Sequence, residues 1–276
     1  MPEAILSPVS VADAQAAVEA NPVWYHTIEV APGVTTPGYF DLRPIAGRLP
    51  WPDVEGKRCL DVGSFDGFYA FELERRGAAE VVAVDVEGPQ DFDWPPHLRG
   101  WGPAAADQMS GGRHAAGFEV ARRLLGSSVE RVHGTVYDLD PAELGRFDVV
   151  TMGSLLLHLR EPLRALEAVR GVCRGRFLSV DQIDLGLSLL SPRRPVARLD
   201  GQSRLMHWWV PNAAGHRRMV RSAGFAIERT TGPHAVRYGR SHAGHGARAA
   251  NPFTVARELV AGRGPLHQAL LARPVG

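Results

Sequence analysis

The chain predicts an α/β fold: a doubly wound, mostly parallel sheet of seven strands with helices on both faces. Three observations point there. Runs such as Val81-Val82-Ala83-Val84 are apolar at every position, as in parallel strands covered on both sides. Helical stretches separate successive runs, the alternation that right-handed crossovers produce. Seven strand segments fall between residues 57 and 272, and no internal repeat interrupts them.

Taken in order, Ser10-Val11-Ala12-Asp13 reads as a helix start, with an Ala-rich helix to about Ala20. Residues 21–56 mix many Pro and Gly with Trp24, Tyr25, Tyr39, Phe40 and Trp51. That is too apolar for a tail and too broken for a long element, so residues 1–56 are expected to form an ordered cap. Lys57 to Val62 reads as a strand, and Gly67 to Arg76 as a helix stopped by Gly77. A strand over Val81–Asp85 is followed by a long loop over 88–110, rich in Trp and Pro. A helix near 114–125 and a strand at Val129–His133 come next. Phe147 to Met152 is another strand, and Glu161-Pro162 opens a helix, Pro at its first position, that runs to about Val172. Phe177–Val180, Phe225–Thr231 and Gln268–Ala272 complete the strands, with a helix over Pro211–Ala223 ended by Gly224. Residues 57–276 are expected to be one domain, with substrate-side insertions near 88–112, 183–210 and 232–265.

Composition excludes several classes. Apolar content of 45% and charged content of 22% are ordinary for a globular chain of 276 residues. No run of about 18 uninterrupted apolar residues exists, so no membrane span is expected. Met1-Pro2-Glu3-Ala4 has no basic run before an apolar segment, which argues against a secretory signal and for a cytoplasmic chain. Cys59 and Cys173 both sit in apolar segments and read as buried free thiols rather than a disulfide. The His- and Gly-rich run Ser241 to Arg248 lacks clear ligand spacing; a mobile loop is expected there, and no metal. A net charge of +1 conceals a polarity: residues 182–276 hold fourteen Arg against four acids, whereas residues 1–181 hold 17 basic residues against 26 acidic. A basic half suits an anionic substrate or nucleic acid, but with Lys57 as the one Lys, Arg is also simply this chain's usual cation.

The sharpest motif is Leu60-Asp61-Val62-Gly63-Ser64-Phe65-Asp66-Gly67, where the first sheet strand turns into a helix. In open α/β sheets that crevice binds ligands. Gly63 allows a tight turn with no side chain between backbone and ligand, and Gly67 lets the helix pack close. The spacing is not that of the dinucleotide fingerprint, because Ser64, Phe65 and Asp66 intervene. A strand-end acid also suits a cationic ligand better than a pyrophosphate. Asp85 ends the next strand, where a carboxylate can accept both hydroxyls of a ribose.

Leu60 through Gly67, together with Asp85, resembles the first two motifs of class I S-adenosylmethionine-dependent methyltransferases, whose fold is Rossmann-like. The resemblance implies that Asp61 and the loop Gly63, Ser64, Phe65, Asp66 and Gly67 cradle the methionine half of S-adenosylmethionine. It assigns the ribose to Asp85 and Val86, and adenine to Val136 and Tyr137. Phe147 to Leu155, with Gly153, would run beneath the sulfonium. A narrower resemblance covers most of residues 22–276. Trp24-Tyr25-His26, Thr36-Pro37-Gly38-Tyr39-Phe40-Asp41, Met152 to His158 and Trp209-Val210-Pro211-Asn212 resemble the tRNA wobble-uridine (mo5U34/cmo5U34) methyltransferase-like family. Its tRNA-modifying members use a carboxylated S-adenosylmethionine, whose extra carboxylate is held by a Lys, a Tyr and an Arg. The matching positions here carry His26, Leu157 and His267. Leu157 has no hydrogen-bond donor, and neither His has an assured charge near neutral pH. The stretch before the glycine loop is also shorter than in those members. The family's fold is therefore expected, and its special cofactor and tRNA substrate are not.

In methyl transfer from a sulfonium, the protein mainly aligns acceptor and methyl. A base is needed only when the acceptor must lose a proton. His26 is the first candidate, since the resemblance places it near the transferring group. His158, after the fourth strand, and His207, beside Trp208, are the others. Trp24, Tyr25 and Trp208 are candidates to wall an acceptor pocket. Three functions compete. One is methyl transfer to an oxygen or nitrogen of a small molecule, of the kind found in specialised metabolism. The second is tRNA wobble-uridine modification by the Arg-rich half. The third is a non-enzymatic binding module with a decayed loop. Arg193, Arg194, Arg217, Arg218 and Arg221 around a pocket mouth would favour RNA, and a closed aromatic pocket a small molecule.

Overall fold

A computed structural model describes residues 9–98, 115–201, 207–243, 245 and 262–276. Parts of the three expected insertions (99–112, 202–206, 244 and 246–261) lie outside the described residues, as do the chain start over 1–8, residue 113 and residue 114 of the helix expected near 114–125.

The cap opens with α1 (Val11–Ala20), where the Ser10 hydroxyl accepts the Asp13 N–H at 3.1 Å. It continues through β1 (Glu29–Ala31), β2 (Val34–Thr35), β3 (Phe40–Asp41) and α2 (Arg43–Ala46). The sheet begins with β4 (Arg58–Val62), α3 (Phe68–Arg75), β5 (Glu80–Asp85), α4 (Ala116–Leu125) and β6 (Glu130–His133). Next come α5 (Pro141–Leu144), β7 (Phe147–Gly153), α6 (Pro162–Val172) and β8 (Cys173–Gln182). The C-terminal part holds α7 (Leu185–Leu190), β9 (Ala197–Leu199), β10 (Trp209–Pro211), α8 (Ala213–Ser222) and β11 (Phe225–Thr230). The two-residue β12 (His234–Ala235) and β13 (Arg237–Tyr238) precede the last strand, β14 (Leu266–Pro274).

The main sheet has the order β11-β14-β8-β7-β4-β5-β6, with β12 added beside β14. β4 to β8 pair in parallel, and β14 runs antiparallel to both its neighbours. The seven expected strands are thus present, in a doubly wound and mostly parallel sheet. Period-two alternation divides the interior. Cys59, Val81, Ala83, Val149, Leu178 and Val180 face one core, which they share with cap residues such as Ala14, Val18, Trp24 and Ile45. Leu60, Val82, Val84, Val150, Met152 and Phe177 face the other, packed on Ala165, Leu166 and Val169 of α6. The cap is therefore built into one face of the sheet. Cys59 and Cys173 are buried free thiols. Among the described residues no helix is long and apolar enough to cross a membrane.

Two features differ from the sequence reading. β8 is ten residues long, because Arg174 and Arg176 at its polar start find acids on the adjacent β7 and, beyond β14, on β11. Arg174 pairs with Asp148 at 2.8 Å and Arg176 with Glu228 at 2.6 Å. The run Ser241–Arg248, expected to be mobile, has its described part tied to the cap: the Ser241 N–H donates to the Pro37 carbonyl at 2.8 Å, and the His242 ring stacks on Tyr238.

Candidate functional site

Strand order reverses at β4: the chain goes out through β5 and β6, then returns to β7 on the other side. The loops after these strands cannot cover one another, and a crevice opens at their carboxyl ends. Here it is a cavity of about 560 Å³. Gly63 and Phe65 line it from the β4 loop, Asp85 and Val86 from β5, and Gly153, Ser154 and Leu155 from β7.

The β4 loop takes this path for local reasons. Gly63 has φ +72°, and a Cβ there would meet Leu155 Cδ2 at 2.9 Å. Gly67 has φ +94° at the start of α3, where a Cβ would strike the rings of Phe71 and Phe118. Between them Phe65, at φ +49°, donates its N–H to Asp85 Oδ2 at 2.5 Å. Asp85 Oδ1 accepts the Val86 N–H at 2.8 Å. Asp85 thus shapes the loop as well as lining the cavity.

Asp61 lies beneath the lining, 1% exposed. Thr151 donates to its Oδ1 at 2.8 Å, while Oδ2 is buried with no partner. Burial pushes its carboxyl up to about 7; Thr151 and His26 oppose the shift, and the charge of Asp85 adds to it. The Ser64 hydroxyl and Tyr69 hydroxyl are likewise buried without partners. Three unsatisfied polar atoms are thus buried around one glycine loop, behind the cavity lining. The acidic pair and the side-chain-free turn at Gly63 fit S-adenosylmethionine, which carries a sulfonium and an ammonium.

Asp66, expected to hold cofactor with its loop neighbours, is committed elsewhere. Its Oδ2 accepts the N–H groups of Tyr25 at 2.7 Å and His26 at 2.9 Å, and its Oδ1 pairs with His26 Nδ1. Both oxygens are used to clamp the cap to the glycine loop. Ser64 and Gly67 also support the loop without lining the cavity.

The clamp positions a roof. Residues 25–27 pair with Phe40, where the Phe40 N–H donates to the Tyr25 carbonyl and the Thr27 N–H to the Phe40 carbonyl, both at 2.8 Å. β3 in turn pairs with β13. Tyr25, His26, Tyr39, Phe40 and Tyr238 line the cavity from this small sheet, and His242 joins them. Sequence reasoning missed Tyr39, Phe40, Tyr238 and His242 as lining residues. The Thr36-to-Asp41 motif was a signal for the first two. Nothing local in the sequence could pair residues 40 and 238.

Other expected site residues divide. Val136 and Tyr137 line the cavity, the Tyr137 hydroxyl donating to Asp93 Oδ2 at 2.5 Å. His158 and His207 line it together, with ring centroids 5.3 Å apart. Burial holds the His207 imidazole below its ordinary pKa, with Arg198 acting in the same sense and Asp200 against it. Two of the expected aromatic walls stand outside the lining. Trp24 is 1% exposed in the core, its indole N–H on the Val18 carbonyl at 3.0 Å. Trp208 buttresses from behind, donating to the Asp93 carbonyl at 2.6 Å. Their large rings suited a wall equally well from sequence, but each indole N–H found a buried carbonyl instead.

The three positions that match the carboxylate-binding residues of the wobble-uridine family all line the cavity, and none is a Lys, Tyr or Arg. His26 is engaged by Asp66, and Leu157 is apolar and buried. His267 is held down to about 3, mainly by burial, with Ser154 at its Nε2 and the Pro265 carbonyl at its Nδ1. Among the described residues no Lys or Arg appears in the lining, so Arg193, Arg194, Arg217, Arg218 and Arg221 all lie off it.

Against known proteins, this architecture has close geometric counterparts. The N-terminal domain of EvdMO1 with SAH bound superposes with a TM-score of 0.54 at 15% identity, covering 97% of this chain and 98% of that one. The same domain in the presence of SAH and D-fucose gives 0.53 at 15%, over 97% and 98%. The chain has the class I methyltransferase fold. A ubiquinone biosynthesis O-methyltransferase of Neisseria meningitidis serogroup C is 32% identical over 117 residues, 42% of this chain. The match spans 39% of that protein's length. No family model matches the chain.

Proposed function

We propose that the chain is an S-adenosylmethionine-dependent methyltransferase acting on an oxygen or nitrogen of a small molecule. The observation that carries the reading is the pair of acids, Asp61 and Asp85, on neighbouring strands β4 and β5, with the positive-φ Gly63 between them. S-adenosylmethionine supplies an electrophilic methyl when bound. The chain's own residues bind and orient it. Asp85 is placed to accept ribose hydroxyls, Asp61 to balance positive charge at the methionine end, and Val136 and Tyr137 to pack on the adenine. The aromatic roof excludes water and holds the acceptor in line.

Support for a small acceptor comes from the ring-lined cavity and from the five arginines lying off its described lining. The trio His26, Leu157 and His267, standing where the carboxylate-binding Lys, Tyr and Arg would be, favours ordinary S-adenosylmethionine over its carboxylated form and weakens the tRNA-modifying alternative. The O-methyltransferase named among the relatives favours oxygen. The glycine loop, intact and held by Asp85, argues against a decayed module. Calorimetric titration with S-adenosylhomocysteine tests the reading. One-to-one binding is expected, weakened by about 1–3 kcal/mol in Asp85→Ala, as for a lost charged hydrogen-bond partner. No binding to the wild-type chain would refute it.

A further inference from the structure

The roofed end of the cavity has a composition of its own. Tyr238 and His242 stack with centroids 4.0 Å apart and planes at 11°. Phe40 sits 5.2 Å from Tyr25 and 5.5 Å from His242, and Tyr25 meets His26 edge-on at 4.9 Å. Ring faces and edges at such spacings favour a planar aromatic guest. Among the described residues the formal charges in the lining are Asp85, Asp91 and Asp93, all negative. Against these residues an anionic guest would give up its water with no cation to replace it.

His26 lines this end with Nδ1 committed to Asp66. A carboxylate only accepts, so in the neutral ring the proton sits on Nδ1 and the lone pair on Nε2. The charged or titratable groups around the ring are Asp66 in the clamp, Asp61 beneath it and the Tyr25 hydroxyl beside it. An arylamine brings its own lone pair to a methyl donor. A phenol keeps its proton until about pH 10 and needs a base.

We propose that the acceptor is an uncharged planar aromatic compound bearing a hydroxyl, and that His26, positioned by Asp66, takes the hydroxyl proton as the methyl reaches oxygen. This rests on the methyltransferase reading. The oxygen lone pair forms the new C–O bond, and the C–S bond breaks with its electrons left on sulfur. The proton passes to His26 Nε2 and then to water, leaving an aryl methyl ether and S-adenosylhomocysteine. Asp66 acts through His26 and is a positioning residue.

The test is a panel of catechol, 4-methylumbelliferone and a nitrophenol beside matched arylamines and benzoates. S-adenosylmethionine is the donor, and S-adenosylhomocysteine formation is read by mass spectrometry. Phenols should be the methylated class. His26→Gln should slow the un-ionised phenols by about a hundredfold or more, and the loss should shrink at least about tenfold on the nitrophenol assayed above its own pKa. Asp66→Asn should displace the pH–rate profile while phenol KM stays within about twofold. Preference for arylamines or benzoates would overturn the proposal. So would binding of S-adenosylhomocysteine with no phenol methylated, or an equal His26→Gln loss on ionised and un-ionised phenols. Failure to bind S-adenosylhomocysteine at all would instead remove the methyltransferase reading beneath it.

Discussion

Cofactor affinity should depend on pH through Asp61. In the free chain burial raises that carboxyl to about 7, and its Oδ2 has no partner. A folded pKa above the ordinary value means a contribution to stability that is full at low pH and lost as pH rises through 7. A cation bound nearby reverses the preference and favours the carboxylate. An opposite charge within a few ångströms lowers such a pKa by about 1–3 units. Affinity for S-adenosylmethionine should therefore rise about five- to tenfold between roughly pH 6 and pH 8, with about half a proton released at neutrality. Calorimetry in two buffers of different ionisation enthalpy measures both quantities. Asp61→Asn should flatten the pH dependence and weaken binding by about 1.5–3 kcal/mol. Asp181, also raised to about 7 by burial, is the internal control, because its carboxylate is engaged by backbone N–H groups of Leu156 and Gln182. Flat wild-type affinity with no proton release would refute the reasoning. A pH dependence that survives Asp61→Asn would assign it to Asp181.

Asp66→Ala should remove three acceptor contacts at once and leave His26 without its partner, costing about 3–5 kcal/mol as for a broken buried pair; thermal melting and faster hydrogen exchange at residues 25–27 check it. Gly153→Ala would set a Cβ 2.2 Å from Tyr69 Cε2, so a loss of about 1–3 kcal/mol in stability is expected by denaturant titration. Ordinary S-adenosylmethionine should bind at least as tightly as the carboxylated form, read by competition against S-adenosylhomocysteine. A clear preference for the carboxylated form would contradict the roles assigned to Leu157 and His267.

The sheet was legible because its signal is local. Val81 to Val84 is apolar without a break and Phe147 to Met152 mostly so, and Pro162 and Gly77 mark helix ends by their own backbone limits. The glycine loop was legible for the same reason. The roof was not, since residues 25, 40 and 238 meet through two two-residue strands and an isolated bridge, with no periodicity to read. Asp66 was assigned to cofactor because it sits inside the loop motif; only the fold reveals that its carboxylate faces the cap. Trp24 and Trp208 show the matching ambiguity, in which a large ring with one donor suits a core and a pocket wall alike. Long β8 was shortened in the reading because Arg174 and Arg176 hide their strand character behind ion pairs with Asp148 and Glu228.

The central claim is that one adenosyl-amino-acid molecule lies across the tips of β4 and β5. A crystal structure with S-adenosylhomocysteine tests it most directly. The account predicts ribose hydroxyls on the Asp85 carboxylate, the amino-acid end over Gly63 and Asp61, and the sulfur facing Tyr25 and His26. Ligand bound elsewhere, or its ribose turned away from Asp85, would contradict it.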